Sequence, residues 1–226
     1  MDPKDRIRNE FDALCGQFNQ LPSVARTISG EIDALHYQWL MRQIFHHARE
    51  NPQIQALATV YFRGTQRDMV KPFFQHATSE IGHDKLALND LEAMGVDTSG
   101  IPNERPLPAT TALVAYPFYQ ICQRNPVGYI GYLVFLEYLP TSMGTEYMTA
   151  FIKAGVPETA MSFLTDHVTI DQYHIKQIAR YIDELLQDEE DLQSAIHALR
   201  VTAGLYGQMV ESAFQQADSV LMQAAA

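Results

Sequence analysis

The stretch HVTIDQYH at residues 167–174 places a histidine at each end and an aspartate between them. An earlier stretch, HATSEIGH at residues 76–83, repeats this spacing with a glutamate in the middle. Residues i, i+4 and i+7 share one face of an α-helix, because the helix turns once every 3.6 residues. Each stretch is therefore predicted to be helical and to carry a stripe of three side chains that can bind metal.

The rest of the chain is also predicted to be helical. Apolar residues recur at spacings of three and four, and alternating runs of β-branched residues are nearly absent. At 226 residues the chain is expected to form a single domain, an all-α bundle of seven to eight helices over residues 1–226. The predicted helices cover residues 4–19, 29–49, 53–64, 67–94, 109–123, 126–152 with a break near Pro140, 155–185 and 189–222.

Composition excludes several classes of function. The net charge of -11 argues against nucleic acid and anionic membranes as partners, because both favour a basic surface. No apolar run approaches the roughly 20 residues of a membrane span, and MDPKDRIRNEFDAL has no signal-peptide core. Cys15 and Cys122 lack a CxxC pattern and are expected to be free, buried thiols. We therefore expect a cytoplasmic protein that acts on a small molecule, with a homodimer as one open oligomeric state.

The two stretches suggest how two metal ions would be held. Seven residues of helix rise roughly 10.5 Å, so the end histidines suit two ions better than one. His167 and His174 are therefore assigned to different metals, with Asp171 between them. In the earlier stretch Glu80 and His83 form an E-x-x-H pair, the i, i+3 arrangement of di-iron bundles, and His76 is an additional candidate donor.

Glu137 is a further candidate ligand from a third helix. It is the only acid in GYIGYLVFLEYLP at residues 128–140, where the surrounding residues predict burial on nearly every side. An unpaired buried carboxylate costs several kcal/mol, so Glu137 is expected to bind a cation or a basic partner. If it has no partner, its replacement by leucine should leave the metal-free protein at least as stable.

Each of these features has a plain structural alternative. A single histidine is more often part of the core or the surface, Glu137 could pair with an arginine, and E-x-x-H occurs by chance in helical proteins. His46, His47 and His197 are expected to be structural or solvated. The combination of three histidines and three carboxylates on separate helices nevertheless favours iron, with manganese as the alternative, in nitrogen and oxygen coordination.

These motifs resemble those of the haem-oxygenase-like di-iron oxidases and oxygenases, also called iron-containing redox enzymes. Their fold is shared with thiaminase II and pyrroloquinoline-quinone synthase. The resemblance runs from about residue 30 to 185, through HATSEIGHDKLALNDLEAMG, GYIGYLVFLEYLP and DHVTIDQYHIKQI. It implies a haem-oxygenase-like helical bundle. Some members carry a further carboxylate on an earlier helix, whereas residues 53–72 here contain only Asp68 as an acid, and His76 would compensate.

The resemblance also implies a chemistry. It assigns two iron ions, cycling between Fe2+ and Fe3+, to the ligands Glu80, His83, Glu137, His167, Asp171 and His174, with O2 as co-substrate. Glu80, Glu137 and Asp171 are the expected catalytic carboxylates. The implied substrate is an amino acid, an amine or an aliphatic carboxylic acid, which undergoes N-oxygenation, desaturation, decarboxylation or C–C cleavage.

Two other functions are compatible with the sequence. One is a metal-free enzyme like thiaminase II or pyrroloquinoline-quinone synthase, for which Cys122 is the candidate nucleophile. The other is a non-enzymatic iron-binding protein that uses the bundle as a scaffold. The first leaves the six candidate ligands unexplained, and the second would bind metal without consuming O2.

Overall fold

The computed structural model describes residues 1–225, except for the side chains of residues 169–173. These residues form ten α-helices and no β-strand, which confirms the all-α fold. The helices are α1 Pro3–Phe18, α2 Pro22–Ser29, α3 Ala34–Ala48, α4 Asn51–Ala58, α5 Val70–Ser79, α6 His83–Ala93, α7 Pro108–Gln123, α8 Tyr129–Lys153, α9 Ser162–Leu185 and α10 Glu189–Ala224. Short 3-10 turns connect several of them.

Two differences from the sequence prediction account for the helix count, and others change the bounds: α4 ends at Ala58 and α9 begins only at Ser162. The segment Pro22–Ser29 is a separate helix, and Gly30 at φ 79° ends it before α3 begins. The predicted helix 67–94 is two helices, because Gly82 adopts φ 102° between α5 and α6. The expected break at Pro140 is wrong, since α8 continues through this residue. Packing of α8 inside the bundle outweighs the roughly 3 kcal/mol that an internal proline costs.

Polar side chains define where several helices begin. The Asp2 carboxylate accepts a hydrogen bond from the Lys4 amide, and Pro3 opens α1 with the backbone angle that a helix needs. The Asp33 carboxylate accepts the Leu35 amide at the start of α3. At the start of α10, the Asp188 carboxylate accepts the Asp191 amide. These contacts satisfy amide groups that have no partner within the helix.

Helix α8 runs through the centre of the bundle. Its first eleven residues are almost all buried, including the aromatic side chains of Tyr129, Tyr132 and Phe135. It packs against α9 and α10. Gly131 lets α8 approach the backbone of α10 closely, because a Cβ atom there would lie 1.9 Å from the Ala195 carbonyl oxygen. This central position carries Glu137 into the interior.

A buried carboxylate ties three parts of the bundle together. Asp90 on α6 is fully buried and accepts hydrogen bonds from the Tyr37 hydroxyl and from the amides of Ser162 and Phe163. These contacts hold the start of α9 against α3 and α6.

Across the described part of the chain, no helix combines the length and apolarity that crossing a membrane requires.

Candidate metal centre

The candidate ligands lie on four helices, α5, α6, α8 and α9, or directly beside them. His76 lies on α5, Glu80 directly follows this helix, and His83 is the first residue of α6. Glu137 lies on α8 and His174 on α9. The prediction that residues 76–83 form one helix is wrong, because Gly82 turns the backbone between Glu80 and His83. The turn still leaves Oε2 of Glu80 3.1 Å from Nδ1 of His83.

Four buried side chains form a first group that could hold a metal ion, namely His76, Glu80, Glu137 and His174. Nε2 of His76 lies 2.9 Å from Oε1 of Glu137, and Nδ1 of His174 lies 3.0 Å from Oε2 of the same carboxylate. Oε1 of Glu80 lies 3.8 Å from the His76 nitrogen and 3.5 Å from the His174 nitrogen. His76 is thus a full member of the group.

Glu80, His83 and His167 form a second group that could hold a metal ion. The Nδ1–H of His167 donates to the Phe163 carbonyl oxygen at 2.7 Å, which leaves Nε2 as the nitrogen with a lone pair. The His83 and His167 rings lie edge to face at 4.9 Å. Glu80 belongs to both groups, so its carboxylate is placed to bridge two ions.

His174 and His167 fall into different groups, while the remaining predicted ligand cannot be placed. The side chain of Asp171 lies outside the described residues, and its role stays a prediction. Asp166 is a neighbour that the sequence analysis did not single out. Its Oδ2 lies 3.7 Å from Nε2 of His83, and the side chain is 38% exposed. The only sequence signal for Asp166 is its place directly before His167.

Charge interactions between these groups shift their pKa values in opposite directions. Burial raises the pKa of Glu137, but hydrogen bonds from His174 and His76 outweigh burial and bring this pKa below its usual range. Burial lowers the pKa of His174, but its contact with Glu137 and the charge of Glu80 outweigh it, so the pKa is raised. The metal-free cluster therefore favours a Glu137 carboxylate beside a His174 ring that holds a proton.

His83 and His167 respond differently to burial. For His83 the contact with Glu80 and the charge of Asp166 outweigh burial, so its pKa is raised. For His167 burial outweighs the attraction of Glu80, and its pKa is lowered. A neutral His167 has the lone pair that metal binding requires, whereas His83 must release its proton when a metal binds.

A hydrogen bond with Ser79 sets the tautomer of a neutral His174, that is, which ring nitrogen carries the proton and which offers a lone pair to the carboxylates. The Ser79 hydroxyl donates to the His76 carbonyl oxygen at 2.7 Å, so its own oxygen accepts from Nε2–H of His174 at 3.2 Å. Nδ1 of a neutral His174 then presents a lone pair to Glu137 and Glu80. A lone pair and two carboxylates repel one another unless a proton or a cation lies between them. The residues present therefore fit a bound metal ion.

The cysteines lie apart from these groups. Cys15 is buried, but Cys122 is exposed on α7, so the expectation of two buried thiols is wrong for Cys122. Cys122 contacts the half-exposed Tyr61 and belongs to neither group of candidate ligands. This position does not favour Cys122 as a nucleophile that attacks a substrate held inside the bundle.

Comparison with known proteins connects this centre to a family. Residues 38–207, which include all the ligands placed above, match the family described as iron-containing redox enzyme. The chain belongs to this family. Its fold is haem-oxygenase-like. A search of curated proteins finds no match.

Solved structures support the same fold. The chain is similar to a domain of unknown function with a heme oxygenase-like fold from Shewanella denitrificans, with a TM-score of 0.85, 22% identity, and coverage of 99% of this chain and 94% of that one. It is also similar to a TenA homologue from P. horikoshii, with a TM-score of 0.75, 9% identity, and coverage of 95% and 99%. A CADD-like protein from Nostoc punctiforme gives a TM-score of 0.66, 18% identity, and coverage of 92% and 98%.

Proposed function

We propose that the chain is a non-haem di-iron oxidase or oxygenase that uses O2 to oxidise a small organic molecule. The observation that carries the proposal is the pair of ligand groups that share Glu80. Histidine nitrogens and carboxylate oxygens in this number suit iron, and also manganese. Bound iron would supply the electrons that allow O2 to react with an organic substrate.

The protein side chains have separate roles in this proposal. His76, Glu137 and His174 would hold one iron ion, His83 and His167 the other, and Glu80 would bridge the two. Asp171 remains a predicted ligand between them. Glu80 and Glu137 are the carboxylates expected to shift their binding mode as the charge on iron changes, because each presents both oxygens to other candidate ligands.

A neighbouring apolar cavity of about 70 Å³ would hold the apolar part of a small substrate once its walls move apart, because ligand pockets usually measure roughly 300–1,000 Å³. Side chains of α3, α8, α9 and α10 line this cavity, including Met41, Leu139, Phe163 and Phe214. No charged residue is among the lining residues that the structure describes. The Phe163 ring also stacks on His167 with ring centroids 4.0 Å apart, so one side chain separates the cavity from the second ligand group. Such a wall would keep bulk water from the reacting atoms.

An anaerobic titration with Fe(II), followed by metal analysis, tests the metal assignment. Wild type should bind up to two iron ions per chain, as the two groups imply. His174→Ala should preferentially lose the ion of the first group, and His167→Ala that of the second. His197→Ala is the matched control, because His197 is exposed on α10 and should not alter iron binding.

O2 uptake then tests the reaction. The loaded protein is mixed with O2 and a panel of amino acids, amines and aliphatic carboxylic acids, and O2 consumption and products are measured. Negligible iron binding by wild type after anaerobic loading would refute the metal centre. Stable iron binding without O2 consumption under any substrate would instead favour an iron-binding protein without this enzymatic activity.

A further inference from the structure

A buried hydrogen bond joins Tyr132 on α8 to His47 on α3. The Tyr132 hydroxyl oxygen lies 2.8 Å from Nε2 of His47, and both side chains are buried. Burial lowers the pKa of His47 to about 4, so this ring is neutral near neutral pH and has one nitrogen that can accept a proton. Neither residue belongs to the ligand groups. The proposed roles of the ligands leave this pair unexplained.

The pair lies within electrostatic reach of the candidate metal centre. Burial raises the pKa of Tyr132, and the charge of Glu80 raises it further. Burial and then the charge of His167 lower the pKa of His47. Glu80 and His167 are both members of the second ligand group. Tyr132 also precedes Glu137 on α8 by five residues, which is roughly 7.5 Å along the helix axis. The route for an electron from this phenol to the centre is therefore short.

We propose that Tyr132 is a redox-active tyrosine that gives one electron to the oxidised iron centre while its hydroxyl proton passes to His47. In this step the O–H bond of Tyr132 breaks, and an N–H bond forms at Nε2 of His47. The iron centre is reduced by one electron, and Tyr132 becomes a neutral phenoxyl radical. The inference rests on the proposed function, because O2 reacting at the iron centre is the source of the oxidant. Tyr132 would thus provide one electron for the reduction of O2, in addition to the two electrons that two ferrous ions provide.

The transfer of the proton makes the loss of the electron favourable. A phenol that loses only an electron becomes a buried cation, and an isolated buried charge costs several kcal/mol. A base already in hydrogen-bond contact removes that proton without movement of the protein. The hydrogen bond between Tyr132 and His47 thus provides the proton acceptor that the step needs.

Asn51 completes the hydrogen bonds of the pair. In the amide orientation that the structure has, the Tyr132 hydroxyl donates to the Asn51 side-chain oxygen Oδ1 at 2.9 Å. The single hydroxyl proton cannot serve both Asn51 and His47. We assign the amide orientation in which the Asn51 NH2 group donates to the Tyr132 oxygen, since amide oxygen and nitrogen can exchange places without moving other atoms. The Tyr132 hydroxyl then donates to His47, as the proposed step requires.

Tyr129 provides an internal control. Its ring stacks on Tyr132 with centroids 5.4 Å apart, and it is equally buried. Within the described residues, however, the Tyr129 hydroxyl has no hydrogen-bond partner. Oxidation of Tyr129 would leave its proton without an acceptor, so we expect it not to form the radical. The two adjacent tyrosines therefore differ in the one feature on which the proposal depends.

The test is freeze-quench electron paramagnetic resonance of the Fe(II)-loaded protein after mixing with O2. Protein grown with ring-deuterated tyrosine identifies the radical, because deuteration narrows a tyrosyl signal. The variants are Tyr132→Phe, His47→Gln and the control Tyr129→Phe, each checked for iron content and for O2 uptake. His47→Gln retains a hydrogen-bonding side chain but has no basic nitrogen. We expect the radical yield to fall at least about tenfold in the first two variants and to stay near wild type in Tyr129→Phe.

The outcomes separate this inference from the proposed function. O2 uptake by wild type without a tyrosyl radical overturns the inference and leaves the proposed function intact. An unchanged radical in Tyr132→Phe also overturns it, and an unchanged radical in His47→Gln overturns the role of His47. If wild type binds iron but consumes no O2 with any substrate, the proposed function and this inference fail together.

Discussion

Replacing Glu137 by glutamine tests how the metal-free centre contributes to stability. The carboxylate contacts His76 at 2.9 Å and His174 at 3.0 Å, and glutamine removes its charge while keeping its shape. A hydrogen bond to a charged group contributes about 1.5–3 kcal/mol, and glutamine still offers one oxygen as an acceptor. We therefore expect Glu137→Gln to lower the free energy of unfolding by about 2–3 kcal/mol in chelator, near pH 5.5. For a chain of this size the melting temperature should fall by roughly 5–10 °C.

The pH dependence follows from the two pKa shifts. The raised pKa of His174 adds stability that is fully present below its unfolded value of 6.5 and is lost as pH rises through the folded value. The lowered pKa of Glu137 adds stability that is present above its unfolded value of 4.5 and is lost as pH falls through the folded value. The cost of Glu137→Gln should therefore be largest between these two unfolded values and smaller near pH 8.5.

The assay is urea unfolding of wild type and Glu137→Gln in excess chelator at pH 5.5 and pH 8.5. Asp90→Asn is the matched control, because Asp90 is a buried carboxylate whose partners are Tyr37, Ser162 and Phe163 rather than histidines. Its cost should change little between the two pH values. If Glu137→Gln is as stable as wild type at pH 5.5, or if its cost is equal at both pH values, the charged pairing of Glu137 with the two histidines is wrong.

Three further variants test other parts of the structure. Gly82→Ala should lower the free energy of unfolding by roughly 1–3 kcal/mol, because Gly82 has φ 102°, which thermal unfolding measures. The same variant should bind less iron at anaerobic saturation, which metal analysis measures. Gly131→Ala should lower stability by about 3 kcal/mol or prevent folding, because the new Cβ would lie 1.9 Å from the Ala195 carbonyl oxygen; circular dichroism with urea unfolding measures this effect. Asp218→Asn should lower the free energy of unfolding by about 0.5–1 kcal/mol, because it weakens the contact of both carboxylate oxygens with the partly exposed Arg26. Titration with Fe(II) should show unchanged iron binding.

The sequence alone determined most of the helices and most of the candidate ligands. Apolar spacing reveals a helix because it records which residues share a face, and it placed Glu137 in an apolar segment that is indeed buried. The same local reasoning missed the break at Gly82, since the apolar period continues across the turn. It also placed a break at Pro140, where packing on the surrounding helices keeps α8 continuous.

Only the tertiary structure decided which helix faces meet. Glu137 contacts histidines that are 61 and 37 residues away along the chain. Because it has these partners, we now expect removal of its charge to destabilise the metal-free protein near pH 5.5, whereas a carboxylate without partners would not. His47, expected to be structural or solvated, meets Tyr132 across 85 residues, a contact that no local spacing encodes. Helix periodicity specifies the face of each helix, but the pairing of faces depends on the packing of the whole bundle. The sequence therefore proposed the ligands, and the packing of α5, α6, α8 and α9 brought them together around Glu80.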